Sequence, residues 1–344
     1  MSRLADQAYL RTRLAIMSTH LLGRQRLNGL AELPLDEMAK ASGLDEIKDG
    51  RNSERLAAFE RALMQTWLDE LSALLRPLGG PARRLLMQWA SRYELLNIKA
   101  LVRGKIGQLP NEDIERNLFR LPGFLSLNHD ELLNTDSVPE LLRHLQKTRY
   151  KRIATQALRR YEERPDPFLL DATLDQQFYS ELSDRARQLA STDREEILNL
   201  IGRIVDRHNL VWSLRYRYNY RLQPSEVLYL AIDGGRVVNR DVLLQIVNAD
   251  TLEDALKRVP AGLFQGRPTP REITLIEAAM RSDLIEHALH VMRRSPSVLT
   301  SVLAYLVVRH FEIQTLYAIA HARLHGMTSE VLREALDPLH EVAA

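Results

Sequence analysis

Hydrophobic residues along this chain recur mostly at helical spacing. Leu10, Leu14 and Met17 fall on one face of a predicted helix, and Leu141 and Leu145 do the same further along. Alternating patterns typical of strands are nearly absent. Glycine and proline clusters separate the helical stretches, at Gly79-Gly80-Pro81, Pro110, Pro122-Gly123, Pro165-Asp166-Pro167, Asp233-Gly234-Gly235 and Pro268. The pattern predicts an all-α fold.

Two short patterns occur three times each, always in the same order. A first anchor is an apolar residue, an acid, and another apolar residue three positions after the acid. First anchors lie at Phe59-Glu60 with Leu63, Leu174-Asp175 with Phe178, and Ile276-Glu277 with Met280. A second anchor is a polar residue followed by a branched apolar one. Second anchors lie at Asn97-Ile98, Asn209-Leu210 and Glu312-Ile313.

The spacing of these anchors predicts the architecture. The acid of each first anchor precedes its second anchor by 37, 34 and 35 residues in turn. This regularity predicts three tandem, structurally similar helical domains of roughly 100 residues, a common domain size. We place them at residues 1–137, 138–250 and 251–344.

Short helices should flank the anchors in each domain. One is expected at the domain entrance, at residues 34–38, 139–142 and 252–256, and another after each second anchor, at residues 110–114, 224–227 and 327–331. Ser225 and Ser329 precede a glutamate, as residues at a helix N-terminus often do.

Composition restricts the function classes. Hydrophobic residues make up 45% of the 344 residues and charged residues 27%, which is typical of a soluble globular chain. The net charge of +2 argues against a dedicated nucleic-acid binder. Absence of cysteine excludes disulfides, thiolate metal sites and cysteine nucleophiles. The N-terminus does not read as a signal peptide, and the most apolar stretch, residues 298–308, is shorter than the roughly 20 residues of a membrane-spanning helix.

Several segments that carry the anchors resemble one family, the C subunit of A/V-type rotary ATPases, known as d in eukaryotes. These segments are residues 92–105 (RYELLNIKALVRGK), 174–179 (LDQQFY), 304–306 (AYL) with 312–316 (EIQTL), and 8–13 (AYLRTR). The resemblance spans essentially the whole chain in the same order.

This resemblance implies three domains around a pseudo-threefold axis, forming a funnel. It also implies a non-catalytic coupling subunit whose partners are the central stalk subunits and the membrane proteolipid ring, on the cytoplasmic side and peripheral to the membrane. One departure is visible: the third repeat has Ala318 where the first two have Arg103 and Arg215. A surface role for that arginine is therefore not expected in the third domain.

Few residues suggest catalysis or metal binding. His321 and His325 have the spacing of two zinc ligands, but Ala322 stands where a zinc protease has glutamate, and no third ligand is evident. His287 and His290 are best explained as a solvated helix face. The two glycine clusters match no phosphate-binding loop and should be turns. We therefore expect no catalytic residue, cofactor site or metal site, and no nucleotide binding.

The run at residues 212–221 (WSLRYRYNYR) mixes aromatic and basic residues. It could stack bases and contact phosphates, which leaves open an alternative function as a helical-repeat scaffold that binds RNA. Alternatively, Trp212, Tyr216 and Tyr220 form a packing stripe on one helix, with the arginines solvated or facing a partner.

Asn97, Asn209 and Glu312 are polar residues among apolar neighbours. A buried polar group without a partner costs about 1–3 kcal/mol, so each should find one. Either each binds a helix or loop of its own domain, or all three line the funnel and contact the stalk.

Overall fold

The structure is a computed structural model that describes residues 3–44, 51–264, 268–328 and 332. Helices account for 75% of these residues, and no strand occurs among them. The prediction of an all-α fold is confirmed.

Helices follow one another with short connections. The α-helices of the described ranges are α1 (Arg3–Ser18), α2 (Gly23–Leu30), α3 (Leu35–Ala41), α4 (Asn52–Leu75), α5 (Gly80–Ala90), α6 (Arg92–Ile106), α7 (Asn111–Arg116), α8 (His129–Leu133), α9 (Val138–Leu145), α10 (Lys151–Glu163), α11 (Pro167–Arg187), α12 (Ser191–Leu214), α13 (Pro224–Leu230), α14 (Arg240–Val247), α15 (Leu252–Lys257), α16 (Ile273–Arg294) and α17 (Val298–Leu324). A π-helix continues α12 at Arg215–Asn219, and a 3₁₀ helix lies at Ala261–Phe264.

Local sequence explains where many helices begin. The Asp166 side chain accepts hydrogen bonds from the backbone N–H groups of Phe168 and Leu169, and Pro167 occupies the first turn of α11, where its missing N–H costs nothing. The Ser297 hydroxyl accepts from the N–H of Thr300 at the start of α17. Each capping side chain satisfies a backbone donor that the helix itself leaves unpaired.

The predicted short helices are present where the structure describes them. The entrance helices are α3, α9 and α15, and α7 and α13 follow the first two second anchors. Ser225 does not cap α13; Glu226 instead accepts a hydrogen bond from the backbone N–H of Gln223. The third following helix, predicted at residues 327–331, falls mostly outside the described residues.

The two ends of the chain pack together. α17 contacts α16, α12 and also α1, α2 and α4 near the N-terminus. The aromatic rings of Phe119 and Tyr317 stack on one another with their centroids 6.2 Å apart. The last long helix therefore joins the beginning of the chain to its end.

Among the described residues, the buried apolar side chains form one large cluster and three smaller ones. The largest joins residues near the N-terminus to α12 and α17. Two others run from Leu95 to Phe178 and from Leu210 to Met280, so each extends from one second anchor to the next first anchor. The domain division at residues 137 and 250 stays a prediction, and so does the funnel.

Each second-anchor helix ends on a left-handed residue, at Gln108, Arg221 and Gly326. Next to it, the N–H of Leu109 or Met327 donates to a carbonyl five residues earlier, whereas the N–H of Leu222 reaches six residues back, to Tyr216. The extra residue lies in the π-helix, which typically arises from a one-residue insertion. The stripe predicted on one helix, Trp212, Tyr216 and Tyr220, therefore begins in α12 and continues through the π-helix to the residue after it.

No described helix is long and apolar enough to cross a membrane.

Candidate functional site

Asn97 binds a backbone segment that follows it in the chain. Its side-chain nitrogen donates to the carbonyl of Phe119 at 2.9 Å, and its side-chain oxygen accepts from the N–H of the same residue at 2.7 Å. Asn97 is fully buried. The carboxamide thus supplies the hydrogen-bond donor and acceptor that this loop backbone would otherwise lack. We call such a side chain, with the backbone it binds, a clamp.

Asn209 forms the second clamp in the same way. Its nitrogen donates to the carbonyl of Ile232 at 2.8 Å, and its oxygen accepts from the N–H of Ile232 at 2.9 Å. The two clamps span 22 and 23 residues. The first of the two hypotheses for these asparagines is confirmed, since each binds a loop of its own predicted domain.

Glu312 forms the third clamp with a residue 290 positions earlier. Its carboxylate accepts a hydrogen bond from the backbone N–H of Leu22, between α1 and α2. Leu22 lies in the range predicted for the first domain, so the expectation that Glu312 binds within its own domain is wrong. The reason is the packing of α17 against the N-terminal helices, which brings the needed loop from the other end of the chain.

Arg309 balances the charge of the third clamp. Its guanidinium lies 2.6 Å from Glu312 and 3.1 Å from Glu70 on α4, and its side chain is 6% exposed. Burial alone would lower the pKa of Arg309, but Glu70 and Glu312 together raise it. Burial raises the pKa of Glu70. These three side chains form a buried ion triad at the contact between α17 and α4.

Acids three residues before the first two second anchors hold a further loop. Glu94 accepts hydrogen bonds from the N–H of Leu127 at 2.8 Å and from His129. Asp206 accepts from the N–H groups of Val237 and Val238. Neither acid was predicted from the sequence. The signal was available, since each stands three positions before an anchor asparagine, but Arg309 occupies that position in the third repeat and hides the pattern.

The acids of the first anchors pair with basic residues that follow a second anchor. Nζ of Lys99 lies 2.7 Å from Asp175, a guanidinium nitrogen of Arg215 lies 2.5 Å from Glu277, and Nε2 of His321 lies 2.6 Å from Glu60. The third pair again joins the C-terminal helix to the N-terminal region. Each first anchor therefore contacts a helix that carries a second anchor, and we call these three ion pairs the junction pairs.

Arg215 is not the exposed arginine that the sequence suggested. Its side chain is 23% exposed because it is held between Glu277 and the ring of Trp212. Arg103 is well exposed but pairs with Asp171. In the third repeat, His321 forms the junction pair on the same helix as Ala318.

The remaining candidates have structural explanations. His321 and His325 do not meet a third ligand, and no cluster of three metal-ligating side chains occurs in the part of the chain that the structure describes. His287 is half-buried rather than solvated, and burial lowers its pKa to about 4; His290 is exposed. Gly80 begins α5, and Gly234 lies in a turn.

The aromatic and basic run packs against its own chain. The rings of Trp212 and Tyr216 lie 5.5 Å apart, and Phe168 contacts both Tyr216 and Tyr220. Arg217 donates to the carbonyl of Val247 at 2.8 Å. The packing of the stripe is confirmed. Arg215 and Arg217 are bonded internally, so the RNA hypothesis keeps only Tyr220 and Arg221 as exposed aromatic and basic residues of this run.

Comparison with known proteins gives a family match along nearly the whole chain. The sequence model of the ATP synthase (C/AC39) subunit family matches residues 10–335. The chain is 23% identical to the C subunit of the A-type ATP synthase of Methanosarcina mazei, over 96% of this chain and 93% of that protein. It is 26% identical to the C subunit of the A-type ATP synthase of Thermococcus gammatolerans, over 96% and 89% of the two chains. The matched range includes all three clamps and all three junction pairs, and the chain belongs to the ATP synthase (C/AC39) subunit family.

Proposed function

We propose that this chain is a non-catalytic coupling subunit of an A/V-type rotary ATPase or ATP synthase. In this role it links the central stalk to the membrane proteolipid ring and transmits torque between them. The observation that carries the proposal is the family match along nearly the whole chain, together with relatives of similar length named as the C subunit of A-type ATP synthases.

Rigidity of the molecule supports this role. A part that transmits torque must not absorb it by bending, and close-packed interiors with satisfied buried polar groups deform little. The three clamps each fix a loop against a second-anchor helix by bonds to a fully or almost fully buried side chain. The third clamp and its ion triad tie the C-terminal helix to the N-terminal region, so the chain closes on itself.

Distribution of the polar anchors also fits a binding protein better than an enzyme. Titratable groups whose pKa is shifted by burial, such as Tyr93, His310 and Glu70, lie in the packed interior and not in an open cleft with a nucleophile and a base. Their side chains serve packing and ion pairing. Catalysis of ATP hydrolysis or synthesis would then belong to other subunits of the complex.

We further infer three similar helical domains, at residues 1–137, 138–250 and 251–344, arranged as a funnel on the cytoplasmic side of the membrane. Recurrence of clamps, junction pairs and left-handed helix ends supports similarity among the three. Contact with stalk and ring would then come from distributed surface residues, because the anchors themselves are turned into the protein.

Co-purification tests the assignment. The tagged full chain, expressed in cells that contain the remaining subunits, should recover both central stalk and proteolipid subunits after mild detergent extraction. An Arg309→Met variant, which breaks the ion triad, should lose both partners together, because it destabilises the fold of the whole chain. Recovery of neither set by the natural chain, or recovery of RNA in their place, would contradict the proposal.

A further inference from the structure

A cleft between α5, the start of α10 and the end of α11 belongs to none of the features above. It has a volume of about 260 Å³. Its basic lining residues are Arg83, Arg84, Arg149 and Arg185, and its single acidic one is Glu181. Met87 and Leu125 supply apolar wall. The cleft is smaller than a typical site for a drug-sized ligand and suits a small charged group.

The four arginines of this cleft form no ion pair with a carboxylate in the described part of the chain. Arg83 donates to the carbonyl of Leu75, Arg149 to the carbonyls of Phe124 and Leu125, and Arg185 to the side-chain oxygen of Gln88. These acceptors orient the guanidinium groups but leave their charge uncompensated. Arg84 is exposed and makes no hydrogen bond or ion pair with any residue in the described ranges.

Glu181 does not neutralise the cleft. Its carboxylate forms no ion pair within 4.0 Å in the described part of the structure. Burial raises its pKa, and the opposing effects of Arg185 and Arg152 do not cancel this rise. Four guanidinium groups therefore face at most one carboxylate, and the field in the cleft attracts anions.

Tyr150 provides an unused hydrogen-bond donor in the wall. The residue is 3% exposed, and its buried hydroxyl makes no hydrogen bond. The Ser91 hydroxyl and the Arg149 guanidinium lie near enough to lower its pKa, yet neither reaches it with acceptable geometry, and burial still raises that pKa to about 12. A buried hydroxyl without a partner costs about 1–3 kcal/mol, which an acceptor bound in the cleft would recover once a small shift of the Tyr150 side chain uncovers the hydroxyl.

We propose that this cleft binds a phosphate group, carried either by a small free anion or by a phospholipid headgroup. Phosphate offers several charged oxygens, which suit guanidinium forks from different elements and a neighbouring hydroxyl donor. A single carboxylate would leave most of these donors unused. The proposal goes beyond the coupling role and does not depend on it, because a phosphate site can exist whether or not the chain joins stalk to ring.

Two variants test the site without disturbing the fold. Arg84→Gln removes a guanidinium that has no partner in the described chain, and Tyr150→Phe removes only the unbonded hydroxyl. Arg240→Gln is the matched control, since Arg240 is also exposed, also shows no ion pair among the described residues, and lies on α14 away from the cleft. Arg84→Gln and Arg240→Gln should keep the melting temperature of the natural chain, and Tyr150→Phe should keep or raise it, because it removes a buried hydroxyl without a partner.

Calorimetric titration of the purified full chain with inorganic phosphate and pyrophosphate measures the free anion. We expect pyrophosphate to bind, with affinity about tenfold weaker in Arg84→Gln, as loss of a charged hydrogen bond implies, and about fivefold weaker in Tyr150→Phe. Arg240→Gln should stay within about twofold of the natural chain, because a distant exposed charge is screened.

Flotation with vesicles identifies the source of the phosphate. Phosphatidylcholine vesicles with and without phosphatidylglycerol are compared, in the presence and absence of pyrophosphate. Binding to the anionic vesicles that both variants weaken and pyrophosphate displaces assigns a headgroup; pyrophosphate binding alone assigns a free anion. Absence of both kinds of binding, or equal binding by the natural chain and both cleft variants, overturns the proposal. Loss of partner subunits by Arg84→Gln without phosphate binding by the natural chain would also overturn it and identify a protein interface.

Discussion

The first two clamps and the third perform the same task with different chemistry. Asn97 and Asn209 each bind both the N–H and the carbonyl of one residue, 22 and 23 positions later. Glu312 binds the N–H of Leu22, 290 positions earlier, and brings a charge into the interior. A neutral carboxamide both donates and accepts, whereas a carboxylate only accepts. The third clamp therefore needs Arg309, and through it Glu70, to be stable where it lies.

This difference separates two ways of holding a loop. The asparagine clamps are local and self-contained, so each can form as its own part of the chain folds. The glutamate clamp depends on residues from α1–α2, α4 and α17, which meet only when the chain closes. A charged network suits that closing contact, because it is satisfied only when every member is in place. We expect the third clamp to be the more sensitive of the two kinds.

Arg309→Met should cause the largest loss. It leaves Glu70 and Glu312 buried near each other without a cation, and breaking a buried pair by removing one partner costs about 3–5 kcal/mol. Chemical denaturation followed by circular dichroism measures the free energy of unfolding. The matched control is Arg143→Met, whose pairing with Glu162 is well exposed and contributes less than about 1 kcal/mol. A loss no greater than that of the control would show that the triad does not hold the closure.

Asn97→Ala and Asn209→Ala should follow, with losses of about 2–4 kcal/mol each. Each substitution leaves a backbone N–H and a carbonyl without partners, at about 1–3 kcal/mol per group. Asn117→Ala is the control, since this exposed side chain bonds only to the carbonyl of Asp113 in its own helix. Near-equal losses at Asn97, Asn209 and Asn117 would contradict the clamp interpretation. Hydrogen exchange should be faster at the Phe119 amide in Asn97→Ala and at the Ile232 amide in Asn209→Ala. Neither variant should speed exchange at the other amide.

Acid should weaken the second and third clamps before the first. His208 adjoins Asn209, and burial lowers its pKa to about 4; His310 lies two residues before Glu312, and burial holds its pKa well below the usual value. The unfolded chain binds protons at these residues near pH 6.5, so stability is complete above that pH and falls as the pH drops toward the folded pKa values. The first clamp has Leu95 and Leu96 at the matching positions.

The loss of unfolding free energy on acidification follows from the lowered histidine pKa values. His208, with a pKa of about 4 in the folded chain, should cost about 2 kcal/mol between pH 6.5 and pH 5, at about 1.4 kcal/mol per pH unit. Denaturation curves at several pH values measure it, and His208→Phe should flatten the dependence by about a third, since His310 and the half-buried His287 remain. An unchanged slope in that variant would place the acid sensitivity elsewhere.

The junction pairs should show the smallest effects, and unequal ones. Lys99 and Asp175 are 9% and 24% exposed, whereas His321 and Glu60 are 51% and 34% exposed. Lys99→Met should cost about 1–3 kcal/mol because it leaves Asp175 partly buried without its cation. His321→Gln should cost less than about 0.5 kcal/mol, since exposed pairs contribute little. Thermal melts compare the two, and a larger loss at His321 would contradict the ranking.

Much of the fold was predictable because repetition reveals itself in one sequence. The all-α class followed from spacing, and the anchors at Asn97, Asn209 and Glu312 all proved to bind backbone. Their partners were not predictable, since a backbone N–H leaves no mark on the sequence. Leu22 as the partner of Glu312 required knowing that the ends meet. Arg309 was not predicted because it reverses the charge found at Glu94 and Asp206. The π-helix at Arg215–Asn219 was not predicted because the apolar spacing of this run is that of an ordinary helix.

The phosphate cleft was invisible for the same reason. Arg84 and Tyr150 are 66 residues apart and belong to no repeat. Only the folded structure brings them together with Arg83, Arg149 and Arg185, and shows that the positive charge of this cleft lacks matching carboxylates.

The coupling role itself is tested most directly by reconstituting the complex in vesicles with and without this chain, and measuring ATP hydrolysis and the ion gradient together. The account predicts that hydrolysis by the soluble motor largely survives without the chain while ATP-driven ion pumping fails, and that adding the purified chain restores pumping. Full pumping in its absence, or loss of hydrolysis in the isolated soluble motor, would contradict it.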